Sequence, residues 1–188
     1  MIVSQDEFIR PSITVEKLAT LRTVFKKDGT VTTGNASGLN DSVAAMLVVS
    51  DDALINYNLT PKARIVASAV LGVEPKIMDI GPVYATRKVF AKAGLELKDM
   101  DVLEFNEAFS AKALACIREL GLADDDPRIN PNGGAIAIGH PLGMSGTRIL
   151  QEASNELIRS GGKYDLATMC VGVGMGYATL IQRILYSI

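Results

Sequence analysis

Histidine, tryptophan and cysteine are scarce in this chain, which has one histidine, no tryptophan and two cysteines in 188 residues. Two cysteines do not make a disulfide framework, so the composition predicts a reducing, cytoplasmic location. Residues 1–7 lack a basic segment followed by an apolar one, so no secretory signal is predicted.

A strong excess of charge is also missing. Nineteen basic and 21 acidic residues give a net charge of −2, so the sequence predicts no basic patch for nucleic acid. No apolar run reaches the length of about 18 residues that a membrane-spanning helix needs. Hydrophobic residues make up 48% of the chain, enough for a core. We therefore expect a compact soluble protein with neither nucleic acid nor membrane as a partner.

Helical and strand patterns alternate from residue 61 onward, which predicts a layered α/β domain. The predicted strands are 63–73, 101–105, 129–138, 165–171 and 177–185, and the predicted helices are 82–93, 107–120 and 145–160. A glycine turn separates the last two strands, as in a hairpin. The pattern predicts a mixed five-stranded sheet between helices.

The N-terminal third is less regular. Residues 1–34 are polar and rich in turn signals. The apolar run 44–49 ends at Ser50 and fits a strand buried on both faces, although a helix is also compatible with it.

The single histidine lies in the glycine-rich stretch 132–146. Pro141 biases His140 away from helical geometry and predicts an exposed turn at a strand end. One interpretation is a structural histidine bonded to a backbone carbonyl. The surrounding glycines, which let backbone approach a ligand closely, favour a catalytic histidine.

A second glycine-rich stretch, 170–176, begins at Cys170 after an apolar strand. A buried inert thiol is one interpretation of Cys170, but the alternating glycines favour a site. Cys116, on the apolar face of a predicted helix, is predicted to be a core residue. One histidine and one cysteine in such surroundings indicate acid/base chemistry on a small carbonyl substrate.

Asn106 joins a predicted strand to a predicted helix. It fits an N-cap, with Glu107 as a first-turn acid that stabilises the helix dipole. An amide at the carboxyl end of a sheet strand also suits a held water or an oxyanion. The turn 34–41 around Ser37 is typical of any polar turn, and its small residues also suit an extended ligand arm.

The glycine spacing does not fit a nucleotide-binding loop. Residues 177–181 are β-rich where a dinucleotide fold needs a helix, and no acidic residue follows about 20 positions on. The stretch 139–146 has no lysine for a phosphate loop.

Four motifs, in this order, closely resemble those of thiolases of the acetyl-CoA C-acetyltransferase type: residues 34–41, 106–109, 132–146 and 170–176. The resemblance covers nearly the whole chain but only about the C-terminal half of a thiolase subunit. It implies a layered α/β fold. Residues 1–42 would be the end of a loop domain with a coenzyme A-contacting turn, 43–60 a strand and linker of the N-terminal half, and 61–188 the C-terminal domain.

The resemblance implies a role for each motif. His140 would activate the nucleophilic cysteine and, with a water held by Asn106, form one oxyanion hole. Cys170 would be the acid/base that moves the α-proton of the acetyl group, and the amide of Gly172 would contribute to a second oxyanion hole. Contacts to coenzyme A are implied for Ser37, Arg10 and Phe109.

The implied substrates are acetyl-CoA, acetoacetyl-CoA and coenzyme A, with no separate cofactor and no metal. Neither Cys116 nor Cys170 stands where the family's nucleophilic cysteine does, so the chain alone is predicted to be inactive and to act with a thiolase N-terminal half or in a homo-oligomer, in fatty acid metabolism. One histidine argues against the related decarboxylating ketoacyl synthases, which use two. The alternative is a non-catalytic, thiolase-like acyl-CoA-binding or interaction module.

Overall fold

The computed structural model describes residues 2, 4–6 and 8–184. Its elements in chain order are α1 (Val15–Ala19), α2 (Asp51–Asn56), β1 (Ala63–Gly72), α3 (Gly81–Ala93), β2 (Val102–Phe105), α4 (Ser110–Glu119), α5 (Ala135–Ile138), α6 (Leu142–Ser160), β3 (Tyr164–Val171) and β4 (Met175–Arg183). Two 3-10 segments, Pro75–Ile80 and Leu97–Asp99, precede α3 and β2. Within the described residues, no helix is long and apolar enough to cross a membrane.

The four strands form one mixed sheet in the order β1-β4-β3-β2. Strands β3 and β4 pair antiparallel, as do β1 and β4, whereas β2 runs parallel to β3. The predicted layered α/β fold, the mixed sheet and the terminal hairpin are therefore confirmed.

The prediction of a fifth strand at 129–138 is wrong, because the pairing there is one bridge long. Ile129 bridges Leu103 in parallel, with hydrogen bonds from Leu103 N to Arg128 O (2.8 Å) and from Asn130 N to Leu103 O (2.9 Å). Pro131 has no N–H to continue the ladder, and Gly133 turns the chain with a φ of 90°. The chain then forms the short helix α5.

Helices cover both faces of the sheet. Helices α3 and α4 pack on one face, where Leu103 and Phe105 of β2 lie in the main core, and α6 packs on the other, where Val102 lies in a second core. This division follows from the alternation of side chains along a strand.

The predicted helices form with shifted starts. Helix α3 ends as expected at Gly94, which has a φ of 65° and donates its N–H to Phe90 O at 2.9 Å. Helix α6 begins at Leu142 instead of 145, directly after Pro141. Helix α4 begins at Ser110 instead of 107, which changes the environment of Asn106.

Two glycines allow α3 to approach β4 at backbone contact. A Cβ atom on Gly176 would overlap the carbonyl group of Gly81, the first residue of α3. Gly176 is the register partner of Cys170. Because neither Gly81 nor Gly176 has a side chain, the start of α3 can lie against the end of the hairpin that carries Cys170.

The prediction of a strand at 44–49 is also wrong. These residues have no regular structure, and the side chains of Leu47 and Val48 are 77% and 67% exposed. A strand needs a neighbour for its backbone N–H and C=O groups, and none of the described strands runs beside this segment. The division of the chain at residues 42 and 60 stays a prediction.

Two acidic side chains are fully buried between the sheet and α6. No carboxyl oxygen of Glu104 or Asp165 has a hydrogen-bond partner in the described part of the chain. Burial raises the pKa of Glu104 to about 8, although the charge of Arg148 opposes this. Burial, followed by the charge of Glu104, raises the pKa of Asp165 well above its ordinary value.

The Glu104 carboxyl should make the protein less stable as pH rises. Its pKa increases from 4.5 to about 8 on folding, so unfolding releases its proton between these values and the free energy of unfolding falls by at most about 1.4 kcal/mol per pH unit. We expect Glu104→Gln to flatten this fall, measured by urea denaturation at several pH values from 5 to 8. Glu74→Gln, at an exposed carboxylate, is the control. An equal slope in wild type and Glu104→Gln would contradict the prediction.

Candidate functional site

Asn106 holds the single histidine to the end of the sheet. It follows β2 directly, and its N–H donates to Thr168 O of β3 at 3.0 Å. Its side-chain Nδ2 lies 3.2 Å from His140 Nε2, and both residues are buried. The N-cap interpretation of Asn106 is wrong, because Phe109 occupies the N-cap of α4.

A serine contacts the other nitrogen of the imidazole. Ser145 Oγ lies 2.6 Å from His140 Nδ1 and 3.0 Å from Pro141 O. With the hydroxyl donating to the Pro141 carbonyl, Nδ1 is the atom that donates to Oγ, and this tautomer follows from that one choice of donor. His140 Nε2 then has a free lone pair, which accepts from the Asn106 amide.

The surroundings of His140 also favour its neutral form. Burial is the main cause that lowers its pKa, and the charges of Lys112 and Arg148 lower it further. Both effects favour the neutral imidazole over the imidazolium.

The exposed strand-end turn predicted for His140 is wrong. The histidine follows α5 and is buried, and its own N–H donates to Gly38 O at 3.1 Å. The backbone-carbonyl partner expected in the structural interpretation is not found, because both ring nitrogens contact side chains, those of Asn106 and Ser145.

Glu107 positions the loop that leads to the histidine. Its carboxylate accepts from Asn130 Nδ2 at 2.7 Å and from Ile136 N at 3.2 Å. Asn130 in turn binds both backbone groups of Phe105, at 2.8 and 3.0 Å. Glu107 does not lie in the first turn of α4, so its dipole interpretation is wrong. It instead links the end of β2 to α5.

The segment around Ser37 packs between the 106–109 motif and the 132–146 motif. Ser37 donates to Ala108 O from its N–H at 3.0 Å and from its Oγ at 3.1 Å. An open pocket of about 340 Å³ lies next to this segment and is lined by Leu39, Asn40, Asp41, His140 and Leu142. The structure therefore brings the 34–41 and 132–146 motifs together at one cavity.

Cys170 lies at the end of β3 and is buried. Burial is the main cause that raises the pKa of its thiol; the charge of Lys112 lowers that pKa, and the charge of Asp79 and a hydrogen bond to it raise it. Cys116 donates to Asp79 O at 3.2 Å, and burial raises its pKa to about 11. Cys116 lies in the main core, as predicted.

Gly172 lies in the exposed turn that follows Cys170. The next residue, Val173, has a φ of 62°, a conformation that is strained for a β-branched side chain. Nothing lies within 4 Å of a Cβ atom built on Gly172. The turn therefore leaves open space on the side that a side chain at Gly172 would occupy.

Arg10 and Phe109 lie away from the pocket lining. Arg10 Nη1 donates to Thr33 O at 3.1 Å, and its guanidinium stands 5.8 Å from the ring of Phe8. Phe109 packs edge-on against Phe25 at 5.7 Å. Phe109 thus links the N-terminal segment to the domain, whereas the contacts of Arg10 lie within that segment.

Sequence reasoning missed three residues of this arrangement, Lys112, Asn130 and Ser145, and gave a fourth, Glu107, a different role. Closeness in sequence gave a weak signal for two of them, since Ser145 is five residues after His140 and Lys112 six after Asn106. Neither signal distinguishes a site from an ordinary surface. In the described part of the chain, no group of three or more His, Cys, Asp or Glu side chains could hold a metal.

Comparison with family models places this geometry among known proteins. The thiolase C-terminal domain model matches residues 59–183, and the thiolase N-terminal domain model matches residues 1–52. The chain is 54% identical over 182 residues to a 3-oxoadipyl-CoA/3-oxo-5,6-dehydrosuberyl-CoA thiolase of Escherichia coli, covering 97% of this chain and 45% of that protein. It is 51% identical to an acetyl-CoA acetyltransferase of Chromobacterium violaceum, covering 95% of this chain and 45% of that protein.

Solved structures show the same fold. The Bacillus anthracis acetyl-CoA acetyltransferase matches with a TM-score of 0.91 and 46% identity, covering 98% of this chain and 46% of that one. Human mitochondrial 3-ketoacyl-CoA thiolase in complex with CoA matches with a TM-score of 0.88 and 48% identity, covering 97% and 46%. The chain thus spans a little under half the length of these relatives.

Removing the Ser145 hydroxyl should change the tautomer of His140. We expect Ser145→Ala to increase the Nε2–H population, because Nδ1–H loses its acceptor. Imidazole ¹⁵N chemical shifts measure this directly, since the chain has a single histidine.

Ser154→Ala is the matched control, because Ser154 makes the same type of helical bond, to Leu150 O at 2.7 Å. A wild-type imidazole protonated at Nε2 would contradict the assignment.

Proposed function

The chain belongs to the thiolase family, and on that premise we propose that it supplies His140, Asn106 and Cys170 to an acyl-transfer site that acts on 3-oxoacyl-CoA thioesters. The observation that carries the proposal is the buried array Ser145–His140–Asn106, with contacts of 2.6 and 3.2 Å. It gives the base a defined tautomer and a fixed direction.

In this proposal, His140 Nε2 takes the proton of the nucleophilic thiol, which an N-terminal half supplies. The lowered pKa of His140 keeps Nε2 unprotonated before this step. Once protonated, Nε2–H becomes a donor for the thioester oxygen, where negative charge develops. The Asn106 Oδ1 atom is buried without a partner among the described residues, so it can accept from a water that serves the same oxygen.

Cys170 is proposed as the second acid/base. Its raised pKa makes the thiol the resting form, which suits protonation of the carbanion that leaves in thiolysis. In the reverse direction, the thiolate takes an α-proton from the acetyl group. The amide of Gly172, in the open turn next to Cys170, is proposed as a donor for the enolate oxygen.

Coenzyme A is the proposed ligand of the N-terminal segment. The support is the pocket next to Ser37 and the human relative whose structure holds CoA. In this proposal, Ser37 contacts the pantetheine arm, and Arg10 and Phe109 lie toward the nucleotide end. The exposed Leu47 and Val48 are proposed to contact the N-terminal half.

Two substrates have support. The motifs resemble those of enzymes that make or cleave acetoacetyl-CoA, and the Chromobacterium relative carries that type of name. The Escherichia coli relative acts, by its name, on 3-oxoadipyl-CoA, which favours a longer, acidic acyl group. We propose 3-oxoadipyl-CoA as the better substrate, because six thiolases named for 3-oxoadipyl-CoA or beta-ketoadipyl-CoA are 52–54% identical to this chain, against 51% for the acetyltransferase.

A chimera tests the proposal. This chain replaces the matching part of the Escherichia coli thiolase, whose remaining part supplies the nucleophile, and thiolysis of 3-oxoadipyl-CoA and acetoacetyl-CoA is measured. We expect His140→Asn to lower kcat/KM at least about a hundredfold, the scale of losing a general base. Asn155→Ala, at an exposed amide, should have no effect.

Intact mass spectrometry detects the acylated cysteine in a single turnover. Acylation of His140→Asn at the wild-type rate would exclude His140 as the base. Thiolysis by the isolated chain, with Cys116 or Cys170 acetylated, would overturn the need for a second half. An inactive chimera that still binds CoA would favour the non-catalytic binding module.

Cys170→Ala should separate the two half-reactions. We expect acylation to persist, whereas exchange of acetyl α-protons with deuterated solvent falls at least about a hundredfold, because the base for that proton is gone. Cys116→Ala is the matched control, since Cys116 is the other buried thiol. Undiminished exchange in Cys170→Ala would remove Cys170 from the mechanism.

A further inference from the structure

Lys112 is a buried cation in an unfavourable place. It is 3% exposed, in the first turn of α4, where the helix dipole disfavours positive charge. No carboxylate of the described residues lies within ion-pair distance of it. Lysine is seldom fully buried without a paired charge, so the fold tolerates a cost at this position.

The Lys112 ammonium group contacts Asn106, a residue of the candidate site. Lys112 Nζ donates to the backbone carbonyl of Asn106 at 2.7 Å, and the Asn106 side chain contacts His140 at 3.2 Å. Lys112 also stands one helical turn before Cys116, whose thiol interacts electrostatically with Cys170. Lys112 therefore bonds directly to Asn106, one contact removed from His140, and its charge acts on both His140 and Cys170.

We propose that Lys112 is a positioning residue of the thiolase site, which holds Asn106 through its carbonyl and supplies a fixed positive charge to the anions that form beside it, at the Cys170 thiol and on the enolate of the substrate. This inference rests on the proposed function. The cost of burying Lys112 is offset when a negative charge develops nearby.

The electrostatics of the surrounding groups agree with the geometry. Cys170 faces Lys112 and Cys116 of α4 and Asp79 of the 3-10 segment before α3; Lys112 lowers its pKa and Asp79 raises it. His140 faces Lys112 and Arg148 of α6, and both lower its pKa. The same charge thus favours a thiolate at Cys170 and a neutral imidazole at His140.

The test uses the full chain and two titrations that need no enzymatic activity. The first is the rate of Cys170 alkylation by iodoacetamide, with peptide mapping to separate Cys170 from Cys116. At about pH 8 we expect Lys112→Gln and Lys112→Met to lower this rate about three- to tenfold, because the rate follows the thiolate fraction. Lys112→Arg, which keeps the charge, should restore it, and the exposed Lys98→Gln should leave it unchanged.

The direction in which the alkylation rate changes distinguishes loss of the Lys112 charge from a general loosening of the core. A variant that merely opens the core would expose Cys170 and speed its alkylation, whereas loss of the charge slows it. Asp79→Asn removes the opposing charge and should speed alkylation in a chain that keeps Lys112. The single imidazole gives the second titration by NMR, in which the pKa of His140 should rise in Lys112→Gln and Lys112→Met.

Alkylation that is unchanged or faster in both neutral variants would overturn the role of Lys112, and so would an Lys112→Arg variant as slow as Lys112→Met. In the chimera, we expect Lys112→Gln to lower kcat about tenfold or more with little change in KM, since the charge acts on anions that form during the reaction. Unmoved titrations in an active chimera would overturn this inference alone. An inactive wild-type chimera would overturn the proposed function.

Discussion

The hydrogen bond between Asn106 and His140 is the interaction on which the site depends. Asn106 extends the pairing of β2 with β3 by one residue, its carbonyl accepts from Lys112, and its side chain reaches His140. Through these bonds, Asn106 fixes the position of the His140 imidazole, which lies in a glycine-rich loop, relative to the sheet. Without it, the histidine would be held mainly by Ser145 and by one backbone bond to Gly38.

The N-terminal segment contributes to the same arrangement from the other side. Residues around Ala36 bridge Phe109 in antiparallel fashion, and Gly38 accepts from the backbone of His140. Two motifs that lie about 70 and 100 residues away along the chain therefore meet at Ser37 and Gly38. This explains how a polar turn with little structure of its own takes a defined position, and why the pocket at His140 is lined by Leu39, Asn40 and Asp41.

The site combines groups that are held in uncharged forms. Burial lowers the pKa of His140 and raises those of Cys170 and Cys116, which favours the uncharged form of each group. Lys112 and Asp79 then act in opposite directions on Cys170. In the proposed acyl transfer, such a balance would allow the Cys170 thiol to donate a proton in one direction and accept one in the other.

The sequence alone determined the fold class, the antiparallel hairpin, the limits of α3 and the core position of Cys116, because these depend on local periodicity and on glycine and proline. The order of the four motifs also predicted one site with His140, Cys170 and Asn106, and the structure places Asn106 beside His140. The sequence could not exclude an N-cap role for Asn106 or a dipole role for Glu107, since those choices depend on where α4 begins.

Only the tertiary structure decided how these residues meet. The predicted fifth strand is only a bridge at Ile129, because Pro131 and Gly133 interrupt the pairing. The apolar run 44–49 is exposed, because none of the described strands lies beside it. The tautomer of His140 and the burial of Lys112 depend on contacts between elements far apart in sequence. Local patterns fix what a segment can form, whereas distances and burial arise only when segments pack together.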